Sequence, residues 1–336
     1  MTGPMSDRNG SLRTIFVGGP GRSGTSFVAD RLIGHAQICG FRDVELKLFT
    51  EKGGLLDLRH SLVECYSPNR AGVALQQFRR LCDALFQGQF GQVALSSLMS
   101  KALWAEAVDR FLIGLLRDGH PVRTNAAAFH ALAQDFTGQI AEIARSQDRT
   151  SAEAIAFLEK TPHALLAMDF LRSIAPGSRF IHVMRDPRSI AWSLRKMRWG
   201  PDTLQQCCTW VASYCDAWLE TASPIVRNSS DLACLRIEEV AHAPGDAASD
   251  LCDWLGVSTD RDLFKGADLE TLNAWSLRCT DEERDLLNRR LRHWVQFFGY
   301  SADKIGIPVA ACHDHPAAKP DDLLSEDTAA AAVEVA

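Results

Sequence analysis

The stretch TIFVGGPGRSGTSFVADRL, from Thr14 to Leu32, sets an apolar run, a glycine-rich turn and a helical pattern in succession. Gly18, Gly19, Gly21 and Gly24 let the backbone turn sharply and aim successive N–H groups at an anion, and a helix opening near Ser23 adds its positive end. Gly19 and Gly24 have the separation of a triphosphate-binding GxxxxGK[ST] loop, but Thr25 stands where the lysine belongs. The cation is instead Arg22, inside the loop, and the hydroxyls of Ser23, Thr25 and Ser26 can donate to phosphate oxygens. A ligand-free strand-to-helix turn has the same composition, so the loop alone favours a phosphate site only modestly.

A second stretch, RFIHVMRDPRSIAWSLRKMR, ends an apolar run in Arg185, turns at Asp186-Pro187 and starts a helix with Asp186 as N-cap and Pro187 as first residue. Arg185 then lies at a strand's carboxyl end and Ser193 about two helical turns further on, so a guanidinium fork and a hydroxyl can converge on a second phosphate. A structural Arg185–Asp186 pair is the alternative. Between the two stretches, FLEKTPHALL places Lys160 before Thr161-Pro162. If the proline opens the next helix, the ammonium projects from a loop near that helix's N-terminus.

These groups need a scaffold. TIFVGG at 14–19, RFIHVM at 179–184 and LACLRI at 232–237 are short apolar runs bounded by turn residues and separated by long helical patterns. That alternation predicts an α/β fold with a parallel sheet between two layers of helices and ligands at the strands' carboxyl ends. From about 56 to 158 the pattern is helical almost throughout, with no convincing strand; this insertion either walls the cleft or packs as a plain helical subdomain. The segment 281–300 reads as an amphipathic helix running into FFGY, where the glycine stops it. Residues 1–12 read as a flexible N-terminus, 13–308 as a single domain and 309–336 as a disordered tail.

The chain has 336 residues, 46% apolar and 23% charged, with a net charge of -6. This supports a sizeable buried core and argues against a general nucleic-acid or membrane-surface binder, while leaving room for one basic pocket. No apolar run is long enough for a signal segment or a membrane span, so the expected location is cytoplasmic. The ten cysteines are scattered without a disulfide framework and read as reduced thiols. CHDH at 312–315 could grip a metal, but an incidental cluster is the preferred reading.

Taken in order, GGPGRSGTS, EKTP and RFIHVMRDPRSIAWS, followed by LRIEEV at 235–240 and FFGY at 297–300, resemble the sulfotransferase family, which uses 3′-phosphoadenosine 5′-phosphosulfate (PAPS). The resemblance runs from about Thr14 to Tyr300 and implies a P-loop-like three-layer fold. Arg22 in place of lysine looks like the bacterial and tyrosylprotein branches. By position, the resemblance implies that Gly21, Arg22, Ser23, Gly24, Thr25 and Ser26 hold the 5′-phosphosulfate, and that Arg185 and Ser193 hold the 3′-phosphate. It also implies that Arg22 and Lys160 neutralise charge developing on the bridging oxygen without a metal ion. Glu45, in GFRDVELKLFTEKGGLLDL, is the positional match for a base that deprotonates the acceptor hydroxyl; His163 is the second candidate, though it comes three residues after Lys160 rather than two.

Two other readings use the same residues. A P-loop kinase or NTPase would need a metal-binding acid, for which Asp186 is the candidate. A non-catalytic module would bind the nucleotide without transfer. The resemblance leaves the acceptor open; a hydroxylated small molecule or glycan is preferred, with no nucleic acid or membrane partner. Trp199 is a candidate for the acceptor cleft, whereas Trp210 and Trp218 read as core.

Overall fold

The computed structural model describes residues 12–90, 93–147, 153–226 and 230–300. Its frame is a parallel sheet of β1 (Arg13–Gly18), β2 (Ile38–Gly40), β5 (Ala156–Lys160), β6 (Arg179–Met184) and β7 (Leu232–Arg236), in the order β2-β5-β1-β6-β7. The chain leaves β1 toward one edge and later returns to fill the other side, so β1 sits at the reversal point. Connections there diverge on opposite faces and open a crevice beyond the carboxyl ends of β1 and its neighbours.

Every residue of β1 after Arg13 is buried, as expected for a strand covered on both faces. Ile15 and Val17 join Leu158, Ile181 and Val183 under α1 (Thr25–Ile33) and α10 (Pro244–Leu255). On the opposite face Phe16 stacks on Phe180 with centroids 5.7 Å apart and meets Phe49 edge-on at 5.6 Å. That second face is covered by α2 (Leu55–Arg59), α3 (Pro68–Gln87), α4 (Lys101–Gly114), α5 (Ala126–Gln147) and α6 (Met168–Ile174). Phe78, Phe111, Phe129 and Phe136 of these helices share one cluster with Phe16 and Phe180. The insertion is therefore the covering layer of one sheet face, not a separate subdomain.

The sequence reading of 56–158 as strandless is corrected on two points. β5 begins at Ala156 inside that range, and β3 (Leu116–Arg117) pairs antiparallel with β4 (His120–Pro121). β2, just before the insertion, was also missed. A strand reading AFLEK carries two charges in five residues and no alternation, yet all five positions are buried by contacts made between β1 and β2. Only tertiary pairing makes it a strand.

A third layer, α7 (Pro187–Leu194), α8 (Leu204–Val226), α11 (Leu269–Arg278) and α12 (Asp281–Phe297), packs beyond β6. Asp186 caps α7, accepting from the Arg188 N–H at 2.9 Å, with Pro187 following as expected. Its ionic partner is Arg188, not Arg185: the carboxylate and guanidinium meet at 2.7 Å with both side chains essentially inaccessible. Arg188 also donates to Asn288 at 2.9 Å and lies 5.0 Å from the centroid of the Trp275 ring. Glu238, in the short helix α9 (Ile237–His242), accepts from the Asp186 backbone N–H and from the Tyr300 hydroxyl, each at 2.9 Å. The motifs LRIEEV and FFGY thus fold back onto the turn that carries Arg185. Burial pushes Glu238 up to about 7, against the pull of the Asp186 amide and Tyr300 hydroxyl.

Trp210, Tyr214 and Trp218 recur every four residues on α8 and form an aromatic ridge. His182 of β6 lies flat on Trp218, centroids 3.7 Å apart and planes 9° apart, which bears out the packing role of Trp218. Among the described residues no helix is long and apolar enough to cross a membrane, and none of the cysteines forms a disulfide. The expected tail 309–336 and the CHDH cluster at 312–315 lie outside the described residues, as do residues 1–11 of the expected N-terminal arm.

Two outcomes follow. Arg188→Ala strands the buried Asp186 carboxylate and should lower unfolding free energy by about 3–5 kcal/mol in a urea titration. Burial depresses His182 to about 3, so the unfolded chain, with a His near 6.5, binds the proton first, and stability is lost as pH falls below about 6.5 toward 3. His182→Phe removes this term, and should lose about 2 kcal/mol less than the parent between pH 7 and pH 5.

Candidate active site

The loop leaves β1 at Gly18 and enters α1 at Thr25, two residues later than the helix start expected near Ser23. Gly19 has φ +152, and a Cβ there would lie 2.2 Å from the Val183 carbonyl oxygen. Gly24, the N-cap, has φ +104, so both conformations require glycine. Between them Arg22 takes a left-handed conformation, φ 75, unusual for a side chain of its size and a mark of a loop shaped for a task. Its guanidinium is exposed and donates through Nε to Ser193 Oγ at 3.1 Å. Ser23 Oγ is fully buried and has no hydrogen-bond partner among the described residues, a donor left for something else.

Arg185 reaches the same loop from the end of β6. Its guanidinium donates to the Arg22 carbonyl at 3.4 Å and to the Thr271 and Leu272 carbonyls of α11, and its buried Nε has no partner among the described residues. Ser189, one turn into α7, donates to the same Leu272 carbonyl at 2.9 Å. Burial holds the Arg185 pKa down, and the nearby Arg22 charge pushes the same way against the pull of the Glu238 and Asp186 carboxyls. Two guanidiniums thus share one crevice, and the acceptors of Arg185 are neutral carbonyls rather than carboxylates.

Lys160 does not project from a loop as expected: it is the last residue of β5 and is buried. Nor does Pro162 open a helix, since the first helical turn after it, a 3-10 segment, begins at Ala164. The Lys160 ammonium donates to Ser26 Oγ at 3.1 Å and to Glu45 Oε1 at 2.8 Å. Glu45 lies in the loop after β2, and its second oxygen faces Lys47 at 3.8 Å. His163 stands apart from this chain of contacts, tilted against Trp210 at 5.4 Å and Tyr214 at 5.5 Å, with burial lowering its pKa.

The structure therefore brings Arg22, Ser193 and Arg185 together on one side of the loop and Ser26, Lys160 and Glu45 on the other, with Gly21 and Thr25 in the turn between. His163 packs along the rim with Trp210. Trp199, 63% exposed, and Trp210 both approach Gly21, whose Cβ would stand 3.3 Å and 3.5 Å from their rings. Trp210 is thus an aromatic wall beside the loop rather than core alone, a role its helical spacing hid. Glu159 and Thr161, which flank Lys160 and bond to each other at 2.6 Å, were also missed, because the strand that buries Glu159 was not legible.

Amides, hydroxyls and the two guanidiniums, none of them hydrogen-bonded to a carboxylate among the described residues, make a donor set for anions, and the Ser23 hydroxyl and Arg185 Nε, unpartnered among the described residues, fit a ligand carrying phosphate or sulfonate oxygens. Residues 14–261 match the model of the sulfotransferase family. Nodulation protein NoeE of Sinorhizobium fredii is 30% identical over 125 residues, 34% of this chain and 29% of that relative, so the chain spans less than a third of its length. Two solved structures resemble the fold at low identity. The sulfotransferase domain from the curacin biosynthetic pathway is 14% identical with a TM-score of 0.48, covering 86% of this chain and 98% of the other. That from the Synechococcus PCC 7002 olefin synthase is 16% identical with a TM-score of 0.45, covering 85% and 89%. With nearly three quarters of its length matched by the family model, over the loop, Lys160 and the Arg185 turn, the chain belongs to the sulfotransferase family.

Proposed function

We propose that the protein transfers a sulfuryl group from PAPS to a hydroxyl of a small-molecule or carbohydrate acceptor, without a metal ion, in the cytoplasm. The observation that carries this reading is the convergence of Arg22 and Arg185 on one loop, with the Lys160–Glu45 pair against the loop's other side. Gly21 to Ser26 hold the 5′-phosphosulfate; Arg185 and Ser193 hold the 3′-phosphate. To serve the phosphosulfate, the Arg22 side chain exchanges its bond to Ser193 for the ligand, which frees that hydroxyl for the 3′-phosphate.

In the transfer the acceptor oxygen forms a bond to sulfur as the bond from sulfur to the 5′-phosphate oxygen breaks. The departing electron pair stays on that phosphate oxygen, where Lys160 and Arg22 offset the charge. The acceptor's proton passes to Glu45, whose carboxylate stands 2.8 Å from the Lys160 ammonium and so beside the reacting group. His163, buried against two aromatic rings, is assigned to the wall of the site and not to proton transfer. The kinase reading is disfavoured by Asp186, its candidate metal-binding acid, which is wholly buried and committed to Arg188 and to the cap of α7.

A screen of hydroxylated acceptors with radiolabelled PAPS should return a sulfated product, and Lys160→Ala should slow its formation by roughly 10²–10³-fold. Turnover should be unchanged by EDTA; magnesium-dependent hydrolysis of ATP in place of sulfation would contradict the reading.

A further inference from the structure

Three consecutive residues of the Glu45 loop face three consecutive residues around Lys160. Glu45 bonds Lys160, the Leu46 amide faces the Glu159 carboxylate, and the Lys47 N–H points at Thr161 Oγ1, 3.4 Å away. The hydroxyl of Thr161 is polarised for this task. It donates its proton to Glu159 Oε1 at 2.6 Å, which turns its lone pairs toward the Lys47 amide. Glu159 is 2% exposed, and burial pushes it up to about 7 against the pull of Thr161 and Lys160, so this carboxyl has been placed in the core at a cost.

The loop needs holding. Asp43 and Lys47, on either side of Glu45, are both left-handed non-glycine residues, with φ 60 and φ 57. Such conformations persist only where the surroundings over-determine them. Leu46, 2% exposed, anchors the loop from below, but an apolar contact does not fix the direction of a neighbouring carboxylate. A directional bond from the Lys47 amide to a hydroxyl that Glu159 orients does.

We propose that Glu159 and Thr161 are positioning residues that clamp the Glu45 loop and so hold the Glu45 carboxylate on Lys160. The inference rests on the assignment of Glu45 as proton acceptor, but the clamp itself can be tested apart from it. Thr161→Val removes the hydroxyl and keeps the shape. Backbone amides of residues 43–48 should then exchange with solvent roughly tenfold faster, with Thr161→Ser restoring the slow rate. If Thr161→Val fails to fold, Glu159→Met removes the acceptor of the Thr161 proton at similar size, and faster exchange confined to 43–48 supports the clamp. Wild-type exchange in whichever variant folds overturns it.

The kinetic arm uses PAPS turnover, with the acceptor from the screen or with water. Thr161→Val should lower kcat by roughly 10- to 100-fold with KM for PAPS unchanged, and should add little in a Glu45→Gln background. A loss repeated in full in that background means Thr161 does not act through Glu45 and overturns the inference. A parent protein that binds adenosine 3′,5′-bisphosphate yet never turns PAPS over refutes the functional reading instead, and leaves the exchange measurement to decide the clamp.

Discussion

Two like charges held at one turn of chain define this molecule. Arg22 and Arg185 reach one turn of chain, Arg185 bonded to the Arg22 carbonyl and Arg22 to Ser193 of the helix that Arg185 introduces. Repulsion between them opposes that arrangement, so the fold supplies the force that keeps it. A buried lock behind Arg185, made of Asp186, Arg188, Glu238 and Tyr300, fixes the turn. In front, the glycines that must be glycine bend the β1 loop until its amides and Arg22 face the same crevice. An anion bound there would offset that repulsion.

The topology explains why the chemistry collects at one place. With β1 at the reversal of strand order, β5 and β6 are its two neighbours, and their carboxyl ends deliver Lys160 and Arg185 to opposite flanks of the loop. The helical layer between β2 and β5 makes one core with the sheet. Val44, Leu46 and Leu48, around Glu45, belong to that same core.

Local signals were the ones legible in the amino-acid sequence. The β1 loop, the Arg185 turn, its Asp186 cap and Pro187 start all depend on residues within a few positions of one another, and each stands where its chemistry places it. β5 was not legible, because Glu159 and Lys160 disguise a strand that exists only by pairing with β1 and β2. The same blindness hid the Glu45–Lys160 contact, the role of Thr161 and the approach of Trp210 to Gly21, all made by residues far apart in the chain. Asp186 shows the converse: adjacency offered a pair with Arg185 as the alternative, while the start of α7 brings Arg188, two residues on, into bonding geometry.

Calorimetric titration of adenosine 3′,5′-bisphosphate into the parent protein, Arg22→Ala, Arg185→Ala and the double variant tests the shared crevice most directly. One nucleotide should bind per chain, each arginine should contribute roughly 10- to 100-fold in affinity, and raising the salt concentration should weaken the parent more than either variant. Binding that ignores either arginine, or a stoichiometry of two, would mean that the two guanidiniums serve separate ligands and would contradict the account.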